Sequence, residues 1–135
     1  FSYGGTKTKT VRKLDGPNTV SWAPLASSTV AVATIWYQGT LDPAKPARVV
    51  EFDICFNSLQ PWGIDPDGEG SATINAFDIQ NVATHEAGHP VGLADLYKDY
   101  NSYLTMYGYT YKGETQKISL EDGDIAGAQV LYGAP

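Results

Sequence analysis

Both histidines of this 135-residue chain fall within five residues, in the run His85-Glu86-Ala87-Gly88-His89. Positions i and i+4 of a helix lie one turn apart on the same face, so two imidazoles at this spacing can bind one metal ion. Zinc takes histidine nitrogens as ligands and, in catalytic sites, keeps one coordination position open for water. Glu86 has the reach to take a proton from that water. The spacing therefore predicts a helix that carries two metal ligands and a general base.

The third metal ligand must be a residue other than histidine, because the chain has only two histidines. Gly92 can end the helix shortly after His89 and let the chain turn sharply. Three residues later, Asp95 can return a carboxylate oxygen to the same ion, and we predict it as the third ligand. Its competitors are the acidic residues further along the chain, namely Asp99, Glu114 and Glu121.

Pro90 directly follows the second predicted ligand. Inside a helix, proline removes one backbone hydrogen bond and clashes with the carbonyl four residues earlier, at a cost of about 3 kcal/mol or more. Either the helix is already ending at this point, or His89 is displaced and activity is impaired. We expect a bent helix that still binds the metal.

The first sixty residues are typical of strands, and the hydrophobic period becomes helical after residue 75. The clearest strand, 49–56, alternates between an apolar face that includes Ile54 and Phe56 and a second face with Glu51, Asp53 and Cys55. Val50 and Phe52 complete the apolar face. The predicted strands cover residues 1–10, 18–22, 29–37 and 49–56, with loops over 41–47 and 61–75.

Two helices are predicted in the second half of the chain. Asn75 is expected to cap the first, with Asp78 three residues on, as in a capping box. Ser119 and Asp122 form the same pattern before the second helix, and Gly133 is placed to end it. Strands followed by helices, without regular alternation, predict an α+β fold.

Composition excludes several classes of protein. The chain is 42% hydrophobic, but no apolar run is long enough to span a bilayer. A net charge of −6 argues against nucleic acid or an anionic membrane as the partner. The single cysteine, Cys55, cannot form an internal disulfide and is predicted to be a buried, inert thiol. We therefore predict one globular domain over residues 1–135, acting as a monomer.

An acidic loop precedes the first predicted helix. Asp65, Asp67 and Glu69 place three carboxylates close together, with Gly68 allowing tight curvature. Calcium prefers such clustered oxygens, although the spacing does not fit an EF-hand. The loop is therefore predicted either as a calcium site or as an acidic solvated turn.

The segment from His85 to Asp95 resembles the HExxHxxGxx(H/D) signature of the metzincin zinc endopeptidases. The run Leu104-Thr105-Met106-Tyr107-Gly108 resembles the Met-containing turn of that clan. By this resemblance, Met106 packs beneath the metal as a hydrophobic floor without binding it. An aspartate as third ligand resembles the snapalysin-like branch, whereas the order of strands and helices is similar to the matrixin-type catalytic domain.

The resemblance implies a zincin-like fold, with a twisted mixed sheet, an active-site helix and a C-terminal helix. It also implies that the family's first strand and helix are lacking here. The strand at 29–37 matches the edge strand above the cleft, which binds extended substrate by backbone pairing. Tyr107, Tyr109 and Tyr111 match a wall of the pocket for the side chain after the scissile bond. Some metzincins carry an assisting tyrosine where this chain has Gly108.

The function implied is zinc-dependent endopeptidase activity on a peptide or protein substrate, with Glu86 as general base. One alternative is a zinc- or peptide-binding module of the same fold that no longer cleaves. Another places the third ligand further downstream, as in zincins that use glutamate. The chain begins with Phe1 and its only methionine is Met106, so we expect a signal peptide, a pro-segment or a cut boundary before it. A secreted protein is predicted on this basis.

Overall fold

The computed structural model describes residues 4–6, 12–40, 47–66 and 74–134. The strands are β1 (Thr19–Ala23), β2 (Ala31–Gln38), β3 (Arg48–Asn57), β4 (Trp62–Gly63) and β5 (Phe77–Asp78). The helices are α1 (Ile79–Gly88) and α2 (Asp122–Tyr132), with 3₁₀ turns at Asp99–Asn101 and Gln116–Ile118. The predicted α+β class is therefore confirmed. None of the helices in the described ranges has the length and apolarity needed to cross a bilayer.

The main sheet is mixed and has the order β1-β3-β2. Strand β1 runs parallel to β3, and β2 runs antiparallel to it. The three predicted strands that fall on described residues agree with these bounds to within two residues. In the described part of the chain β2 forms one edge of this sheet. The strand predicted over 1–10 and the loop over 41–47 lie largely outside the described residues.

One face of β3 packs against α1 and forms the hydrophobic core. Ile54 and Phe56 from the strand contact Phe77 and Val82, and all four side chains are buried. Trp62 packs edge-on against the Phe56 ring at a centroid distance of 5.2 Å, and its indole N–H donates to a backbone carbonyl of β3. Burial of such large side chains is the main favourable term in folding. The core therefore fixes α1 against the sheet.

The other face of β3 is polar yet equally buried. Glu51 and Asp53 are each only 1% exposed. Backbone N–H groups of the preceding segment donate to both carboxylates, from Asp15 to Glu51 at 2.9 Å and from Thr19 to Asp53 at 3.0 Å. Because each charge receives hydrogen bonds, its burial is tolerated. Cys55 on the same face is buried and free, as expected.

The start of α1 differs from the prediction. Asp78, not Asn75, is the N-cap, and its Oδ1 accepts a hydrogen bond from the Asn81 N–H at 2.8 Å. The reason is that β5 pairs with β4, a short ladder within the segment expected to be a loop over 61–75. This pairing holds the backbone extended up to Asp78, so the helix cannot begin at Asn75.

The start of α2 was also predicted too early. Glu121 is the N-cap and forms a capping box with Asp124, whereas Ser119 and Asp122 do not. A 3₁₀ turn ends at Ile118 and leaves Ser119 in an extended conformation, so the helix begins further along the chain. The predicted end is confirmed, because Gly133 follows the last helical residue with a φ of 84°.

Candidate metal centre

His85 lies in the last turn of α1, and His89 follows Gly88 as the C-cap of that helix. Their rings lie 5.0 Å apart between centroids and are nearly perpendicular, at 86°. Both side chains are mostly buried, with exposures of 12% for His85 and 18% for His89. The helical spacing therefore brings the two imidazoles together as the sequence predicted.

Pro90 ends the regular part of α1 without displacing His89. The helix ends at Gly88, and His89 keeps helical angles of φ −64° and ψ −47°. Hydrogen bonds then run from the Gly92 N–H to the His89 carbonyl and from the Leu93 N–H to the Gly88 carbonyl. This is the usual closing pattern of a helix at glycine, and Gly92 has the required positive φ of 99°.

The turn at Gly92 brings Asp95 back to the histidines. Its Oδ1 lies 3.2 Å from His85 Nε2 and 3.7 Å from His89 Nε2. One ligand atom from each of the three residues lies within 4.8 Å of the others. This is the only such cluster among the described residues, and it contains none of the predicted competitors. Glu114 instead forms an ion pair with Lys117.

The outer nitrogens of both rings are already occupied. His85 Nδ1 lies 2.8 Å from the Thr105 carbonyl oxygen, and His89 Nδ1 lies 2.9 Å from the Leu93 carbonyl oxygen. A carbonyl only accepts, so each Nδ1 carries the proton and each Nε2 presents its lone pair to the cluster. Burial lowers the pKa of His85, which favours the neutral imidazole that a metal requires.

Glu86 lies beside this cluster with one carboxylate oxygen unsatisfied. The side chain is 6% exposed, and its Oε2 is the only buried side-chain polar atom of the described residues without a hydrogen-bond partner. The pKa of Glu86 is raised to about 7, chiefly by burial and also by the Asp95 carboxylate, against the opposing effect of His89. A carboxyl with a pKa near neutrality is suited to accept and return a proton.

Met106 packs tightly against the turn of α1 that carries the histidines. It is 2% exposed, and a Cβ built on Gly88 would lie 2.2 Å from its Sδ atom. Glycine is therefore required at position 88 for this approach. The geometry agrees with the role of a floor implied for Met106, which stays a prediction.

Two neighbouring cavities are lined by residues of α1 and strand β2. The first, which we call the cleft, has a volume of about 440 Å³ and is lined by the three clustered residues, Glu86 and residues of β2. The second, the side cavity, has a volume of about 360 Å³, and Tyr107 and Tyr109 line it. Tyr111 does not line it, and its side chain is 68% exposed.

The predicted calcium loop is only partly described. Asp65 is 5% exposed, and its backbone N–H donates to Asp78 Oδ2 at 2.8 Å. Asp67 and Glu69 lie outside the described residues, so the calcium site stays a prediction.

Comparison with known proteins identifies the family. The profile of the matrixin family matches residues 37–133, which extend from the end of β2 through α2. The chain belongs to the matrixin family. Metalloendoproteinase 4-MMP of Arabidopsis thaliana is 37% identical over 78 residues, which are 57% of this chain and 21% of that protein. Metalloendoproteinase 1 of Glycine max is 34% identical over 79 residues, 58% of this chain and 24% of that protein.

A relative from an animal matches a larger share of this chain. Matrix metalloproteinase-16 of Homo sapiens is 31% identical over 91 residues, which are 67% of this chain and 14% of that protein. This matrixin therefore spans about a quarter or less of the length of these relatives. No solved structure matches the chain.

The donor set of this matrixin fits the zinc ion that its family implies. Two imidazole nitrogens and one carboxylate oxygen converge, which is the number of protein ligands found in catalytic zinc sites. The unsatisfied oxygen of Glu86 lies next to them, where a polar partner would complete its hydrogen bonding. His85, His89 and Asp95 are therefore the residues that could hold the metal.

Tyr97 contacts the candidate metal centre but was not among the residues predicted from the sequence. Its hydroxyl donates to Asp95 Oδ2 at 3.0 Å, which leaves Oδ1 facing the histidines. The ring passes so close to Gly108 that a Cβ there would lie 2.4 Å from Tyr97 Cε1. The clue in the sequence was Gly108, because a residue with a Cβ would collide with the Tyr97 ring. The family resemblance had drawn attention to position 108 only because some metzincins carry an assisting tyrosine there.

We expect Tyr97→Phe to weaken zinc binding by roughly tenfold, because hydrogen bonds to a ligand orient it and tune its basicity. Competition with a chromophoric chelator measures the affinity. Tyr100→Phe is the matched control, since Tyr100 is 75% exposed. An unchanged affinity in Tyr97→Phe would show that the hydroxyl does not position Asp95.

The raised pKa of Glu86 predicts how the stability of the metal-free protein depends on pH. The folded-state pKa of about 7 exceeds the ordinary value of 4.5, so the folded state holds this proton more tightly than the unfolded chain. The bound proton therefore makes its full contribution to the free energy of unfolding below about pH 4.5, and this contribution is lost as the pH rises through about 7. Removing the charge in Glu86→Gln should therefore stabilise the chelated protein increasingly between pH 5 and 8, by up to about 3 kcal/mol.

Urea unfolding of both proteins in the presence of a chelator measures this difference. The opposite effect of His85, whose pKa is lowered, is present in both proteins and cancels in the comparison. A difference in unfolding free energy that stays constant from pH 5 to 8 would contradict the prediction.

Proposed function

We propose that this matrixin is a zinc-dependent endopeptidase. The observation that supports this most directly is the convergence of His85, His89 and Asp95 within 4.8 Å beside Glu86, whose Oε2 has no hydrogen-bond partner among the described residues. These groups line a cleft that runs along the β2 edge of the sheet, where an extended peptide has room to lie. The names of the relatives agree with this activity.

The three clustered residues would bind zinc through Nε2, Nε2 and Oδ1. When bound, zinc supplies a Lewis acid that polarises the scissile carbonyl and lowers the pKa of water. Glu86 takes a proton from the attacking water and passes it to the leaving amine. Its burial keeps the carboxyl pKa near 7, so the group can both accept and release that proton at neutral pH.

The substrate is a peptide or unfolded protein segment that adds its backbone to β2. Two residues of β2, Ala31 and Ala33, line the cleft opposite the histidines. Pairing through the backbone binds an extended chain with little regard to its sequence, and side-chain cavities then provide the selectivity. We further propose that the protein is secreted and acts as a monomer.

The decisive experiment is cleavage of an unfolded protein substrate. We expect hydrolysis that a chelator abolishes and that added zinc restores. A metal- or peptide-binding module would instead take up zinc and bind peptide without producing fragments. Zinc uptake at one ion per chain with no fragments detected by mass spectrometry would refute the endopeptidase proposal.

A further inference from the structure

Lys117 is a buried cation in the wall of the side cavity. The residue is only 2% exposed and lies in the 3₁₀ turn Gln116–Ile118. Its backbone N–H donates to Asn81 Oδ1 at 2.6 Å, which ties the turn to α1. Lysine is rarely buried to this extent, because the ammonium group loses its hydration.

Among the described residues, the ammonium group has hydrogen-bond acceptors on Tyr109 and Glu114, and the centre of the Tyr107 ring lies 6.0 Å from Nζ. Nζ donates to the Tyr109 carbonyl oxygen at 2.5 Å and forms an ion pair with Glu114, at 3.2 Å from Oε1. An ammonium has three N–H donors, and these two partners use two of them. Lys117 also lines the side cavity, so a group that enters this cavity can accept from the remaining donor.

Both apolar and polar residues line the side cavity. Val30, Ala31 and Val82 line it together with Lys117. It adjoins the cleft, because Ala31, His85, Glu86 and Gly108 line both spaces. A side chain of a peptide bound along β2 can therefore enter next to Glu86. Such a space suits a side chain with aliphatic carbons and a polar tip.

We propose that Lys117 makes this matrixin select a substrate side chain that ends in an oxygen acceptor, above all glutamine, in the side cavity. The inference rests on the proposed endopeptidase function and names its preferred substrate class. An aliphatic side chain of the same length would displace water from the ammonium without replacing its hydrogen bond. Glutamine is favoured over glutamate, because Glu114, Glu86 and Asp95 already act on the Lys117 charge.

The test compares two fluorogenic peptides that differ only at the residue after the scissile bond, which is glutamine in one and methionine in the other. We expect the wild type to cleave the glutamine peptide with a kcat/KM roughly tenfold higher, as one hydrogen bond to a charged group allows. Lys117→Met should abolish or reverse this ratio. Lys112→Met is the matched control, because Lys112 is exposed, and it should keep the wild-type ratio.

A second variant tests whether misfolding could explain the effect of Lys117→Met. Lys117→Met leaves the Glu114 carboxylate without its cation, whereas Lys117→Met combined with Glu114→Gln removes both charges. The double variant should show the same loss of preference for glutamine. Equal cleavage of both peptides by the wild type, or a wild-type ratio in the folded double variant, would overturn the assignment of Lys117 while leaving the endopeptidase proposal intact.

Binding of the same two peptides to Glu86→Gln, measured by calorimetry, separates the two proposals. If no variant cleaves either peptide but Glu86→Gln binds the glutamine peptide more tightly, the endopeptidase proposal fails and the cavity assignment stands. If the peptides are neither cleaved nor distinguished in binding, both proposals are overturned.

Discussion

Glu86→Gln is expected to lower kcat by at least about 100-fold while leaving zinc bound. Proton transfer by a positioned side chain contributes typically 10²–10⁴-fold to rate, and an amide cannot take up the proton of the attacking water. The substitution preserves the shape of the side chain. Zinc binding should persist, because Glu86 is not a member of the His85, His89 and Asp95 cluster.

The measurement combines kcat on a fluorogenic peptide with metal content determined by mass spectrometry. Asp99→Asn is the matched control, since Asp99 was a competing candidate ligand and is exposed in the structure. That variant should retain both zinc and activity. A Glu86→Gln protein whose kcat stays within threefold of the wild type would rule out Glu86 as the general base.

Asp124→Ala is expected to destabilise the protein by about 3–5 kcal/mol and to weaken zinc binding. Asp124 is 4% exposed, and its carboxylate accepts from the backbone N–H groups of Thr105 at 2.9 Å and Met106 at 3.2 Å. It also accepts from the Glu121 N–H at 3.2 Å. Alanine leaves these donors unpaired, at about 1–3 kcal/mol for each one that is buried.

The effect on zinc follows from what Asp124 holds in place. The Thr105 carbonyl accepts from His85, and Met106 packs against Gly88, so movement of this turn disturbs the histidine directly. A loss of 3–5 kcal/mol is a large part of the roughly 5–15 kcal/mol that stabilises a typical domain.

Chemical unfolding and chelator competition measure the two effects of Asp124→Ala. Asp122→Ala is the matched control in the same helical turn, because Asp122 is exposed, and it should change stability by less than about 1 kcal/mol. If Asp124→Ala were as stable as this control, the carboxylate would not be what holds the Met106 turn.

The candidate site was predictable where its signals were local. Two histidines at helical spacing, a glycine that can turn the chain and an aspartate three residues later all lie within eleven residues. A single helix and one turn are enough to bring these side chains together, and the structure places them as expected. The α+β class was predictable for the same reason, since alternation and helical periodicity are local patterns.

The helix starts were mispredicted because strand pairing decides the start of α1 and a preceding 3₁₀ turn decides the start of α2. Asn75 and Ser119 both have the right chemistry for an N-cap. Asn75, however, lies in a bend just before the paired strand β5, and Ser119 is extended after a 3₁₀ turn. The caps are instead Asp78 and Glu121. Local capping signals rank candidates, but strand pairing and preceding turns select among them.

By itself, the sequence determined the candidate metal-binding run, the third acidic candidate and the order of the main strands and helices. Only the tertiary structure decided which groups support that run, because Asp124 and Lys117 come from elsewhere in the chain and Tyr97 needs the space left by Gly108. Asp124 reaches the Met106 turn from α2, Tyr97 reaches Asp95 past a glycine, and Lys117 lines a cavity beside α1. The reason is physical, since burial and hydrogen bonding between segments depend on packing that no local pattern encodes.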